Sequence, residues 1–64
     1  MYANLDRELG AQKMSWRSAA KAISMPESTF RSKMNDGEFS IEEAFEIKEI
    51  LFPRFNLEYL FERT

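Results

Sequence analysis

Residues 16–33, with the sequence WRSAAKAISMPESTFRSK, indicate two short helices separated by a tight turn at Ser24-Met25-Pro26. The residue before a proline is pushed out of the helical region, so the first of these helices must end before Pro26. Ser15 is a suitable N-cap for that helix, and the second helix is predicted at about residues 26–35. Two helices in this order, at about residues 15–35, can present one helix end to the major groove of DNA.

One further helix is predicted before this pair. Leu5 and Leu9 are four residues apart and share a face, which predicts a helix over about residues 3–13. At the other end of the pair, Asn35-Asp36-Gly37 is expected to stop the helix, and Gly37 is suited to a left-handed backbone.

Two more helices are predicted in the C-terminal half. Ser40-Ile41-Glu42-Glu43 is a capping box of the form S-x-x-E, which predicts a helix from there to about Leu51, before Pro53. Asn56 can cap a last short helix with the sequence LEYLFER. No segment shows the strict alternation of a half-buried strand. We therefore expect an all-α fold, a compact five-helix bundle forming one domain over residues 1–64.

The apolar residues of the C-terminal half predict both core and surplus surface. The fourth helix is expected to bury a broad face formed by Ile41, Ala44, Ile47 and Leu51, widened by Phe45 and Ile50. The aromatic residues that follow hold more apolar surface than a 64-residue core needs: Phe52, Phe55, Tyr59 and Phe61. They could form part of a dimer contact, or they could simply close the base of the domain.

The composition excludes several classes of function. The chain has no cysteine and no histidine, so disulfides, thiolate metal sites and the commonest general base are all absent. No carboxylate pair has a nucleophile beside it, and two glycines cannot build a phosphate-binding loop. We expect no enzyme, no cofactor, no metal and no small-molecule substrate. No apolar run or secretion signal indicates a membrane or export, so a cytoplasmic location is expected.

The charge is unevenly distributed along the chain. The formal net charge is −2, but residues 1–12 carry −1, residues 13–35 carry +4 and residues 36–64 carry −5. The basic part therefore coincides with the two central helices. A local field of this kind steers a phosphate backbone more effectively than net charge does. The pattern favours nucleic-acid binding by residues 13–35.

The whole chain resembles the phage repressor and Cro type of helix-turn-helix domain, also called XRE-like. The resemblance covers the leading helix NLDRELGAQK, the MS connection, the two central helices, the NDG turn, the S-x-E-E-A helix and the closing LEYLF. It implies a lambda-repressor-like fold with a central helix-turn-helix, and a transcriptional regulator of the small phage- or mobile-element-encoded kind. Three positions depart from the family pattern. Ser24 replaces a glycine, Ala19 a larger aliphatic residue, and Trp16 a polar residue that contacts the DNA backbone.

The family geometry implies which residues would read bases. Glu27, Ser28, Arg31 and Ser32 would face the base edges. The forked guanidinium of Arg31 can bond O6 and N7 of guanine together, which is worth about 1–3 kcal/mol of discrimination. Glu27 could accept from cytosine or orient Arg31, or it could serve only the positive end of its own helix.

The same geometry implies contacts to the DNA backbone, from Ser15, Trp16, Arg17, Lys33 and Lys13. For Trp16, packing into the core or partial burial is the favoured alternative, as for most lone tryptophans. Lys21 is expected to lie on a different face from Arg17 and to be solvated.

These observations favour a sequence-specific regulator that binds double-stranded DNA. One recognition helix buries a modest surface, so a homodimer on a two-fold site is expected on energetic grounds. The alternative is a protein–protein interaction module on the same fold, such as an antirepressor or assembly adaptor. The acidic second half and Trp16 motivate that alternative.

Overall fold

Five helices make up the fold of residues 1–63, which are the residues that the computed structural model describes. They are α1 (Ala3–Ala11), α2 (Trp16–Ala22), α3 (Glu27–Asn35), α4 (Ile41–Leu51) and α5 (Leu57–Leu60). No strand occurs within these residues. The radius of gyration of 10.3 Å is close to the value of about 11 Å expected for a folded chain of this length. The prediction of an all-α, five-helix globule is confirmed.

Three helices begin at the residues predicted to cap them. The Ser15 side chain accepts a hydrogen bond from the Ser18 amide, and Asn56 accepts one from the Tyr59 amide. At the start of α4, Ser40 accepts from the Glu43 amide while Glu43 accepts from the Ser40 amide, at 3.1 and 2.8 Å. The capping box is therefore complete. Each cap satisfies amides that the first turn of a helix leaves unpaired.

Helices α1 and α2 end in the same way, with a non-glycine residue in the left-handed region. Lys13 has φ of 57° and Ser24 has φ of 58°. In each case this residue and the next donate amide hydrogen bonds back into the last turn, to Gly10 and Leu9 and to Lys21 and Ala20 respectively. This pair of hydrogen bonds is the Schellman motif. The prediction that the first helix continues to Lys13 is wrong by two residues, because a left-handed residue cannot extend it.

The glycine after α3 has a different role from the one predicted. No glycine has positive φ within residues 1–63, so the expectation of a left-handed Gly37 is wrong. A Cβ at Gly37 would lie 3.3 Å from the Cα of Lys33. The Gly37 amide bonds back to the Ser32 carbonyl at 3.0 Å. Close approach of the chain to α3 therefore explains the glycine.

The core lies where all five helices meet. Seven large side chains are almost fully buried: Phe30, Phe52, Leu5, Leu9, Met34, Ile47 and Leu60. Tyr2 and Phe39 are also buried, with ring centroids 5.4 Å apart, and the Tyr2 hydroxyl accepts from the Phe39 amide. Ala19 and Ala20 are buried on α2, where their small side chains let α2 pack closely on α3.

Helix α4 buries a narrower face than predicted. Ala44 and Ile47 are buried and Leu51 is half-buried, but Ile41, Phe45 and Ile50 are 66, 50 and 51% exposed. The expectation that these three side chains join the core is wrong, because they lie on the sides of the helix that turn away from it.

The C-terminal aromatics pack against the core. Phe52 is buried, while Phe55, Tyr59 and Phe61 are half-buried against the core. Helix α5 has four residues, so the predicted helix LEYLFER is too long. The longest helix within residues 1–63 has 11 residues, and none is long and apolar enough to cross a bilayer.

Candidate nucleic-acid interface

The four residues predicted to read bases lie together on α3. Glu27, Ser28, Arg31 and Ser32 are all exposed. Helical spacing places Ser28 and Ser32 on the side opposite Phe30 and Met34, which anchor α3 in the core, with Arg31 beside the two serines and Glu27 at the edge of the buried stripe. The burial of that apolar stripe therefore turns the two serines directly outward and leaves Arg31 accessible beside them.

Arg31 is held by two neighbours on the protein surface. Its Nη2 donates to Oε2 of Glu27 at 2.7 Å, and the two side chains remain 54 and 42% exposed. The guanidinium also lies 5.3 Å from the centroid of the Trp16 ring. Of the roles open to Glu27, orienting Arg31 is the one for which the structure contains a contact. The fork of Arg31 is thus partly ordered and still accessible.

Trp16 joins three helices instead of standing free at the start of α2. Its indole nitrogen donates to Oδ1 of Asp6 at 2.9 Å, and its ring meets Phe30 edge-on with centroids 6.3 Å apart. The side chain is half-buried against the core, as the alternative interpretation expected. The indole N–H that a phosphate contact would use is therefore occupied by Asp6.

A groove of about 540 Å³ lies where α2 meets α3. It is lined by Arg17, Ala20, Lys21, Ser24, Met25, Pro26 and Glu27. The expectation that Lys21 lies on a different face from Arg17 is wrong, because residues four apart on a helix share a face. Both cations are exposed and both line this groove. Their two positive charges therefore lie close together, beside the start of α3.

The other residues predicted to contact the DNA backbone differ in whether their polar groups already have a partner in the protein. Lys13 is exposed, and the hydroxyl of Ser15 is engaged as the cap of α2. Lys33 is half-buried, and its Nζ donates to both carboxylate oxygens of Glu43, at 2.8 and 3.0 Å. The charge of Lys33 is therefore already paired with α4.

The ion pair with Lys33 also changes the acidity of Glu43. The hydrogen bond from Lys33, followed by the one from the Ser40 amide, holds the pKa of Glu43 below its ordinary value, and partial burial opposes this only in part. Glu43 is therefore ionised at neutral pH and links α3 to the start of α4.

Sequence reasoning missed one residue of the exposed α3 face. Asn35 is exposed and lies four residues after Arg31, on the same side of the helix. An asparagine can make a bidentate contact with adenine. Helical spacing from Ser28 and Arg31 could have found it, but the residue was interpreted only as part of the NDG stop signal.

Neither a metal site nor a known relative adds to this picture. Within residues 1–63 no group of acidic, cysteine or histidine side chains could hold a metal ion. No family model, curated protein or solved structure matches the chain.

Proposed function

We propose that the protein is a sequence-specific regulator of transcription that binds double-stranded DNA, most simply a repressor of the phage or mobile-element kind. In this proposal α2 and α3 act as a helix-turn-helix, and α3 enters the major groove. The single observation that supports it is the exposed face of α3, which carries Ser28, Arg31 and Ser32 inside the only net-basic segment of the chain.

The chemistry of that face suits base edges. A helix fits the major groove, which is about 12 Å wide, and each base pair presents a distinct pattern of donors and acceptors there. Arg31 supplies a fork for guanine, and the two serines are short enough to allow close approach. Glu27 and Trp16 limit the conformations of Arg31, which lowers the entropy lost on binding.

In this proposal the groove between α2 and α3 supplies the part of the binding that does not depend on DNA sequence. Arg17 and Lys21 are exposed and adjacent, so they are the best candidates for phosphate contacts. One copy of the chain would make few such contacts. Two copies on a two-fold site, with one α3 in each half-site, are therefore part of the proposal.

Fluorescence anisotropy on a random-sequence duplex, at a low and a high salt concentration, tests the proposal. We expect weak binding that falls steeply with salt, because counterions are released from the phosphates. Replacing Arg17 or Lys21 by glutamine should weaken binding and flatten the salt dependence. Arg54→Gln, at an exposed cation of the acidic half, is the matched control for each of the two single replacements and should have little effect. Absence of binding at low salt contradicts the proposal.

A second candidate function is a protein-interaction module without specific DNA binding. The observation that favours it is the occupation of two predicted backbone contacts, since Trp16 bonds to Asp6 and Lys33 pairs with Glu43. The same anisotropy experiment separates the two candidates, because only the first requires salt-dependent binding to DNA.

A further inference from the structure

Exposed apolar side chains are concentrated on α4. Within residues 1–63 four large hydrophobic side chains are exposed, and three of them belong to this helix: Ile41, Phe45 and Ile50. Isolated exposed apolar residues are common on protein surfaces, but a concentration on one short helix is typical of an interaction site.

These side chains flank a row of carboxylates. Successive helical residues are about 100° apart, so Glu42, Glu46 and Glu49 form a row along the outward side of α4. The same spacing places Ile41 and Phe45 on one side of the row and Ile50 on the other. We call these six residues the outer face of α4. All six are exposed.

The carboxylates of the outer face have few partners in the protein. Glu49 lies 3.9 Å from Lys48 and is 71% exposed. Glu42 and Glu46 have no ion pair with any residue in the range 1–63. A partner that brings cations to Glu42 and Glu46 would therefore not have to break an ion pair within residues 1–63, and at Glu49 it would compete only with the long contact to Lys48.

We propose that the outer face of α4 binds a basic amphipathic helix of another protein. Lysines or arginines along the middle of such a helix would meet Glu42, Glu46 and Glu49. Apolar residues on both sides of the basic row would cover Phe45 and Ile50. Both features of the face are then used at once, since charge sets the orientation and apolar burial supplies affinity.

The row of carboxylates disfavours a second copy of this chain, or nucleic acid, as the partner of the outer face of α4. In a two-fold contact between copies of this chain each patch meets itself, so the two rows of glutamate would be brought together. Like charges facing each other across an interface oppose association. Nucleic acid is excluded by the same repulsion. The outer face of α4 shares no residue with the exposed face of α3, so this proposal does not depend on the proposed DNA binding.

Isothermal titration with a synthetic helical peptide of lysine and leucine tests the proposal. The peptide carries a row of lysines flanked by leucines, and a second peptide has serine in place of leucine at unchanged charge. We expect the first to bind and the second to bind much more weakly. Phe45→Ser should weaken binding of the first peptide by about tenfold or more, because a buried aromatic side chain is lost from the contact.

Charge reversal supplies the matched pair of variants. Glu46→Lys should weaken binding of the leucine–lysine peptide, and the loss should be greater at low salt. Glu58→Lys makes the same charge change at an exposed site on α5 and should leave binding nearly unchanged. Both residues are exposed, so circular dichroism should show a folded domain in both cases.

Three outcomes would overturn the proposal. Equal loss in Glu46→Lys and Glu58→Lys means that only net charge attracts the peptide. Equal binding of the two peptides means that the apolar residues are not used. A wild-type dimer in sedimentation equilibrium that Phe45→Ser dissociates assigns the face to a second copy. DNA anisotropy of Phe45→Ser is expected to match wild type, so failure here is distinguishable from failure of the DNA-binding proposal.

Discussion

Helices α3 and α4 follow each other in the chain but expose opposite chemistry. The outward side of α3 carries short hydroxyl side chains and one arginine, within a segment of charge +4. The outward side of α4 carries three carboxylates between large apolar side chains, within a segment of charge −5. Both helices bury an apolar stripe in the same core. The exposed side of each helix, and not its packing, therefore determines the chemistry of the partner it suits.

The largest expected effect contrasts a phenylalanine in each helix. Phe30 is fully buried in α3, whereas Phe45 is half exposed on α4. Phe30→Ala should cost about 3–5 kcal/mol, which is much of the stability of so small a domain. Phe45→Ala should change the free energy of unfolding by no more than about 0.5 kcal/mol. Urea denaturation followed by circular dichroism measures both, and similar losses in the two variants would show that α4 packs more deeply than described.

Charged residues of the two helices should differ in their effect on DNA binding. Under the proposed function, Arg31→Ala removes about 1–3 kcal/mol of discrimination between an operator and random sequence, while weak salt-dependent binding remains. Glu46→Ala on α4 should leave both kinds of binding intact. Competition binding with an operator selected from a random oligonucleotide pool measures, for each variant, the ratio of its affinity for the operator to its affinity for random sequence. Equal loss on every sequence would instead make Arg31 a phosphate contact.

Serines that precede the two helices should respond oppositely to substitution. Ser24 has a left-handed backbone, so Ser24→Gly should stabilise the domain by about 1 kcal/mol, after allowing for the greater freedom of glycine in the unfolded chain. Ser40 caps α4, and Ser40→Ala should destabilise by about 1 kcal/mol. Thermal unfolding gives the sign of each change. Destabilisation by Ser24→Gly would mean that the turn before α3 is not strained.

The smallest effect concerns the ion pair that joins the two helices. The pKa of Glu43 is lowered in the folded state, chiefly by Lys33, so its contribution to stability is present above its ordinary value of 4.5 and is lost as the pH falls below it. Glu43→Gln should flatten this part of the curve of stability against pH. Glu46→Gln, at an exposed carboxylate of the same helix, is the control. If the curve of stability against pH is unchanged in Glu43→Gln, the ion pair with Lys33 does not contribute to a loss of stability at low pH.

Local signals predicted much of the fold. Ser15, Ser40 and Asn56 each cap a helix through bonds to residues three positions away, so a short stretch of sequence contains the whole interaction. The stop before Pro26 is local in the same sense. The ends of α1 and α2 were harder to place, because Lys13 and Ser24 adopt a backbone conformation that their side chains do not indicate.

Contacts between different helices explain why the sequence did not predict the buried face of α4 or the partners of Trp16 and Lys33. Helix α4 has apolar residues around most of its circumference, apart from the row of carboxylates, so spacing alone could not say how far the buried face extends beyond Ala44 and Ile47 toward Phe45 and Ile50. The bonds from Trp16 to Asp6 and from Lys33 to Glu43 each link residues ten positions apart in different helices. Such contacts depend on how helices are arranged. The exposed face of α3 was predictable because Phe30 and Met34 fix its orientation from within the helix.

The position of Trp16 gives the protein an intrinsic optical reporter. It is the only tryptophan in the chain, and it contacts α1 through Asp6 and α3 through Phe30 and Arg31. Its emission therefore depends on the assembly of three helices and on the position of one arginine. Unfolding would expose the indole to water and shift the emission to longer wavelength. A ligand that draws Arg31 off the ring would instead change the intensity while the fold stays intact, so one unlabelled sample can distinguish binding from unfolding.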